Sequence, residues 1–99
     1  MSTTKDYKDY VLNQLEIMDG ITCKSMMGEY LLYYKDALFG GIYDNRVLVK
    51  IVSSNDLYNL SKKIPYSGAK PMYLIDNLDN KELLKKIILD TCKSLPLKK

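Results

Sequence analysis

The chain has no histidine and no tryptophan, and a single phenylalanine. Without histidine it lacks the usual general base near neutral pH and the commonest transition-metal ligand. Its two cysteines, Cys23 and Cys92, lie far apart in sequence. A closed zinc site needs about four suitable ligands, which this pair does not supply. The thiols read as reduced and cytosolic, and no cofactor is expected. Arginine is nearly absent as well, Arg46 being the only one among 15 basic residues. Arginine is the usual bidentate reader of guanine and clamp of phosphate, so direct nucleic-acid binding is not expected. Looser contact would fall to Lys62, Lys63, Lys85 and Lys86, with steep salt dependence. No run approaches the roughly 20 apolar residues of a membrane span, and the opening "MSTTKDYKDY" has no apolar signal core. The expectation is a cytoplasmic protein with no membrane partner. Finally, "LFGGIYD" lacks the lysine and serine or threonine of a phosphate-binding loop and lies inside a strand pattern.

What is present is periodic. The 99 residues are 46% hydrophobic and 27% charged, with a net charge of +3, which suits one globular domain. Thr3 to Met18 reads as a helix, with Tyr7, Val11, Leu15 and Met18 at helical spacing, a cap at Thr3 or Thr4, and a stop at Asp19-Gly20. From Ile21 to Val52 the period changes to two. Four strands are expected: Ile21 to Met27, Tyr30 to Tyr34, Leu38 to Tyr43 and Arg46 to Val52. Gly28 permits a bend or bulge after the first strand, and Lys35-Asp36 and Asp44-Asn45 are tight turns, so the block is an antiparallel meander. In the fourth strand Val47, Val49 and Ile51 share one face. Leu48 and Lys50 share the other, the lysine marking it as more exposed.

Ser53-Ser54-Asn55 is a cluster of N-cap residues ahead of Leu57, Leu60 and Ile64, which predicts a second helix over Asp56 to Lys63. "PYSGAKP" is a loop, and Met72 to Ile75 a last strand. Asp79 with Glu82 has capping-box spacing before an apolar stripe of Leu83, Leu84, Ile87, Ile88, Cys92 and Leu95, which Pro96 ends. The order α-β-β-β-β-α-β-α predicts a two-layer α+β domain: an antiparallel sheet of about five strands with helices on one face.

The chemistry-bearing residues are few. Ser25 has no histidine to activate it, and its neighbour Lys24 points to the opposite strand face. Cys23 has no obvious partner to lower its pKa. Met26 and Met27 either line an adaptable contact surface or fill core beneath a helix. Tyr30, Tyr33, Tyr34 and Tyr43 lie on antiparallel strands and cannot all face inward. Some must be exposed, where tyrosine either supports neighbouring strands or serves as an interface residue.

Taken in order, these elements resemble the N-terminal domain of the TfoX/Sxy competence regulators. The resemblance rests on Asp19-Gly20, "MMGEY" (Met26 to Tyr30), "LLYYKD", "ALFGGIYDNR", "VLVKIV" and "GAKPMYLID", followed by the final amphipathic helix. Met27 stands where that family typically has phenylalanine, and Glu29 where it has glycine. The resemblance implies a two-layer α+β fold similar to type III secretion chaperones. It also implies a role in regulating bacterial competence and transcription alongside another transcription factor, without catalysis. The larger members carry a helical C-terminal domain that is absent here, so a stand-alone version is expected.

The functional expectation is therefore a non-enzymatic regulatory or protein-interaction domain. Met26, Met27, Tyr30, Tyr33 and Tyr34 form its contact surface, with Lys50 at the rim. A protein partner is expected, and exposed sheet edges allow a homodimer. The alternative is a small-molecule-binding or catalytic domain with a pocket between sheet and helices.

Overall fold

The computed structural model describes residues 3–95. The chain order is α1 (Lys5–Gln14), a 3₁₀ turn (Leu15–Ile17), β1 (Ile21–Met26), β2 (Glu29–Tyr34), β3 (Ala37–Ile42), β4 (Val47–Val49), a second 3₁₀ turn (Ser53–Tyr58), β5 (Lys62–Lys63), β6 (Met72–Ile75) and α2 (Lys81–Lys93). All strand pairs are antiparallel, and the sheet order is β1-β2-β3-β4-β6-β5.

Three two-residue turns build the meander. Each has two consecutive residues at positive φ: Met27 (50°) and Gly28 (87°), Lys35 (48°) and Asp36 (69°), Asp44 (51°) and Asn45 (57°). This is the φ pattern of type I′, whose twist matches that of the flanking strands. Of the bend or bulge expected at Gly28 the structure makes the bend: it is the second turn residue of the β1–β2 hairpin. The bulge lies in β3, where the register shifts between Leu32↔Gly40 and Tyr33↔Leu38 and Phe39 is the extra residue. It turns the fully buried Phe39 into the core. Gly40 is required there, because a Cβ would sit 2.1 Å from the Leu48 carbonyl oxygen.

One face of the sheet carries Leu32, Phe39, Ile42, Val47, Val49, Tyr73 and Ile75 into a single core with Val11, Leu15 and Met18 below α1 and with Leu84, Ile87 and Ile88 of α2. Both α-helices thus cover the same face, as the amphipathic stripes require. Thr4 caps α1, its hydroxyl accepting from the Tyr7 N–H at 3.2 Å. Asn80 caps α2, accepting from the Leu83 N–H at 3.1 Å. The expected Asp79–Glu82 box does not form, and Asp79 instead accepts from the Tyr10 hydroxyl at 2.6 Å. The stop expected at Pro96 lies outside the described residues.

The second helix expected over Asp56 to Lys63 is corrected. The chain makes a 3₁₀ turn over Ser53–Tyr58, reverses at Asn59 (φ 53°), and then adds Lys62–Lys63 as a sixth strand beside β6. The helical spacing of Leu57, Leu60 and Ile64 is unused: Leu57 is 67% and Ile64 55% exposed. The fully buried Asn55 makes the difference. It accepts from the Val52 N–H (3.2 Å) and donates to the Lys50 carbonyl (2.8 Å) and the Thr91 hydroxyl (2.8 Å), tying the turn to α2. A polar side chain that is buried must be paired this way. Tyr58 donates to Asp90 at 2.5 Å beside it, and Ser54 donates to the Asp90 carbonyl.

Candidate functional site

Both α-helices lie on one side of the sheet, so among the described residues the other side is a helix-free face. Side-chain alternation assigns its residues. Register places Thr22, Lys24 and Met26 of β1 there, with Leu31 and Tyr33 of β2 and Leu38 and Gly41 of β3. Leu48 of β4, Met72 and Leu74 of β6 and Lys63 of β5 continue the row. Leu31, Tyr33, Leu38, Met72 and Leu74 are half-buried, forming an apolar band from β2 and β3 to β6, with Leu48 of β4 between them.

The middle of this band is packed. The Tyr43 ring, 6% exposed, lies over Gly41, where a Cβ would meet ring carbons at 2.8 and 2.9 Å and the Tyr30 carbonyl oxygen at 2.5 Å. Tyr66 tilts against Tyr43 with centroids 6.0 Å apart and remains 56% exposed. Arg46 pins the loop that carries Tyr66. Its guanidinium donates to the carbonyls of Ile64 and Pro65, both at 3.3 Å, and to the Tyr43 carbonyl at 3.2 Å. Leu48 is fully buried although its strand face has no helix over it. The helix-free side is the more exposed one, as Lys50 marks it, but not at Leu48. Burial, with Tyr66, Glu29 and Tyr33 nearby, pushes the Tyr43 phenol above its ordinary pKa, so it is neutral at physiological pH.

The expected contact residues divide between the two faces. Tyr33 is on the helix-free face, with the Lys24 ammonium 5.2 Å from its ring centre. Tyr30 and Tyr34 are on the helical face and pack against the core, Tyr30 with Lys8 at 5.5 Å and Tyr34 with Lys35 at 5.3 Å. Met26 is half-buried on the helix-free face, and Met27 is 99% exposed at the hairpin tip, so neither fills core. Lys50 follows β4, its N–H donating to the Phe39 carbonyl at 2.8 Å. Residues not anticipated for this surface include Leu31, Leu38, Met72 and Leu74, and above all Tyr66 and Arg46. The nine tyrosines gave the general signal, but nothing in "PYSGAKP" places that loop over Tyr43.

The N-terminal residues brace the end of the face. Glu29 accepts from the Thr3 N–H (2.9 Å), the Thr3 hydroxyl (2.7 Å) and the Asp44 N–H (3.1 Å). The Thr4 N–H donates to Asn45 at 3.0 Å. These bonds join two hairpin tips and fix the approach of α1.

Among the described residues the cysteines, Tyr43 and Tyr58 keep their protons near neutral pH. Burial pushes the Cys92 thiol up to about 11, and burial also raises Cys23 despite Lys8 nearby. The Asp90 carboxylate holds the Tyr58 phenol up at about 12. Ser25 pairs in register with Tyr30 at the open β1 edge and is exposed. Lys62 and Lys63 lie at the β5 edge, whereas Lys85 faces the β2–β3 turn from α2, so the four lysines considered for nucleic acid do not form one patch. Among the described residues no group of three or more Cys, Asp or Glu side chains is placed to hold a metal ion. Among them, too, no helix is long and apolar enough to cross a membrane.

The class defined by this geometry is a small α+β sheet domain with one helical layer and one open, tyrosine-bearing face. No family model matches the chain. It is similar to an uncharacterized 12.7 kDa protein in the trpE 5′ region of Spirochaeta aurantia, at 30% identity over 80 residues, spanning 79% of this chain and 70% of that protein. The chain belongs to the same family as that spirochaete protein.

Proposed function

We propose that the chain is a non-enzymatic, cytoplasmic protein-interaction domain with a regulatory role of the TfoX N-terminal type, and that it engages a protein partner through the helix-free face. The observation that carries this reading is the packed Tyr43–Tyr66 pair at the centre of an apolar band with half-buried Tyr33, Leu31, Leu38 and Leu74 around it. Tyrosine offers large contact area with little side-chain freedom to lose, and exposed aromatic clusters are favoured in interfaces. Lys24 and Lys63 stand on the same face, so the matching surface has an apolar centre and an acidic rim. Regulation alongside a transcription factor follows from the TfoX resemblance and takes the same surface as its contact.

Affinity capture from native lysate, followed by direct titration of the purified partner, tests the reading. Tyr33→Ser and Tyr66→Ser are each expected to weaken binding about tenfold or more, with the circular dichroism of the fold unchanged. Tyr34→Ser, on the helical face, serves as the comparison. Equal binding by wild type and the Tyr33/Tyr66 double variant sinks the assignment.

A further inference from the structure

The helical side of the sheet holds a cavity unrelated to the open face. It has a volume of about 220 Å³ and opens at the rim between the two layers, below the β2–β3 turn. Ile17, Met18, Tyr34 and Leu89 line it together with Asp19, Lys35 and Lys85, and most of the surface it exposes is polar. At about 30 Å³ per water in the liquid, that is room for roughly seven waters, or a ligand of roughly eight to ten non-hydrogen atoms.

Both lysines are placed by the fold. Lys35 donates its N–H to the Gly20 carbonyl at 2.9 Å, and its Cγ occupies the space a Gly20 Cβ would need, 2.9 Å away. Gly20, at φ +91°, therefore seats the lysine stem and directs the ammonium along the Tyr34 ring. Lys85 is half-buried and lies one helical turn from Leu89. The ion pairs among the described residues use Lys5, Lys8 and Lys93, leaving Lys35 and Lys85 without a carboxylate partner there. Two ammonium groups and the Asp19 carboxylate give the rim one net positive charge. This matches a monoanion and disfavours a dianion, which would meet Asp19.

We propose that this cavity binds a small monocarboxylate, whose short carbon body lies against Ile17, Met18 and Leu89. Its carboxylate lies at the Lys35–Lys85 rim. The lysine pair selects against amines, and the Asp19 carboxylate against dianions.

Amide-resolved NMR titration of the whole chain tests this, with hexanoate as the probe and hexylammonium and inorganic phosphate as comparisons. Hexanoate is expected to give saturable shifts at Ile17, Lys35, Lys85 and Leu89 at millimolar concentration, while the other two give none there. Lys35→Gln and Lys85→Gln should each weaken hexanoate about two- to fivefold, as should added salt. Lys35 lies in an exposed turn, and Lys85 is a half-buried helical position where glutamine is a good helix former, so the fold is expected to persist. Absence of saturable hexanoate shifts overturns the proposal. So does a comparable response to hexylammonium or phosphate, or hexanoate binding unchanged in both variants. Partner binding at the open face is measured separately, so either site can fail without the other.

Discussion

Replacing Asn55 by leucine removes a fully buried polar side chain of similar size. The Val52 N–H loses its acceptor and the Lys50 carbonyl loses a donor. The Thr91 hydroxyl keeps its donation to the Ile87 carbonyl at 2.7 Å, so it loses little. Leaving two backbone groups short of partners costs about 1–3 kcal/mol each. Burial of the leucine side chain returns about 1–2 kcal/mol. The net expectation is a loss of about 2–3 kcal/mol, which for a domain of this size lowers the melting temperature by roughly 8–24 °C. Thermal and urea unfolding followed by far-ultraviolet circular dichroism read this directly. Asn55→Asp provides a second arm. It keeps the acceptor for Val52, loses both donors and buries a charge, so its cost should exceed that of leucine at neutral pH and shrink on acidification. Asn55→Leu unfolding within about 0.5 kcal/mol of wild type would refute the view that this side chain determines the chain path between β4 and β5.

Other outcomes follow from the same geometry. Met27→Asn relieves a long side chain of a left-handed turn position at a fully exposed site, so it should raise stability by about 0.5–1 kcal/mol in urea titration; a lower midpoint would contradict the turn assignment. Gly41→Ala places a methyl group against the Tyr43 ring and the Tyr30 carbonyl, and should cost at least about 1–3 kcal/mol with a visible change in near-ultraviolet tyrosine dichroism. The Tyr58 phenol, raised to about 12 from 10.0, keeps its proton longer in the folded state. Its contribution is complete below about pH 10 and lost as pH rises through about 12, so Tyr58→Phe should flatten the alkaline limb of a stability-versus-pH curve. Alkylation of Cys92 in the folded chain at neutral pH should be far slower than in urea, because burial raises its pKa to about 11.

Much of the fold is legible where local and tertiary preferences agree. Val11, Leu15, Leu84, Ile87 and Ile88 recur at helical spacing and are buried. The paired turn residues Lys35-Asp36 and Asp44-Asn45 both take left-handed backbone, so the meander follows from its turns. The segment after Val52 misleads because Leu57, Leu60 and Ile64 match a helical period, while the buried Asn55 and the edge of β6 determine its path. In isolation Asn55 looks like a cap, since its partner on α2, Thr91, is 36 residues away. For the candidate surface, alternation separates Tyr33 from Tyr30 and Tyr34, but only the register and the helix positions show which side is open. Tyr66 is illegible for a related reason: its position depends on Arg46 reaching carbonyls 18 and 19 residues along the chain.

The central claim is that the helix-free face is where a protein partner binds. Amide hydrogen exchange of the chain, alone and saturated with its captured partner, tests it most directly. The account predicts added protection in peptides containing Leu31–Tyr33, Leu38, Tyr66 and Leu74, with α1 and α2 unchanged. Protection confined to the helices, with that face exchanging as in the free chain, would contradict it.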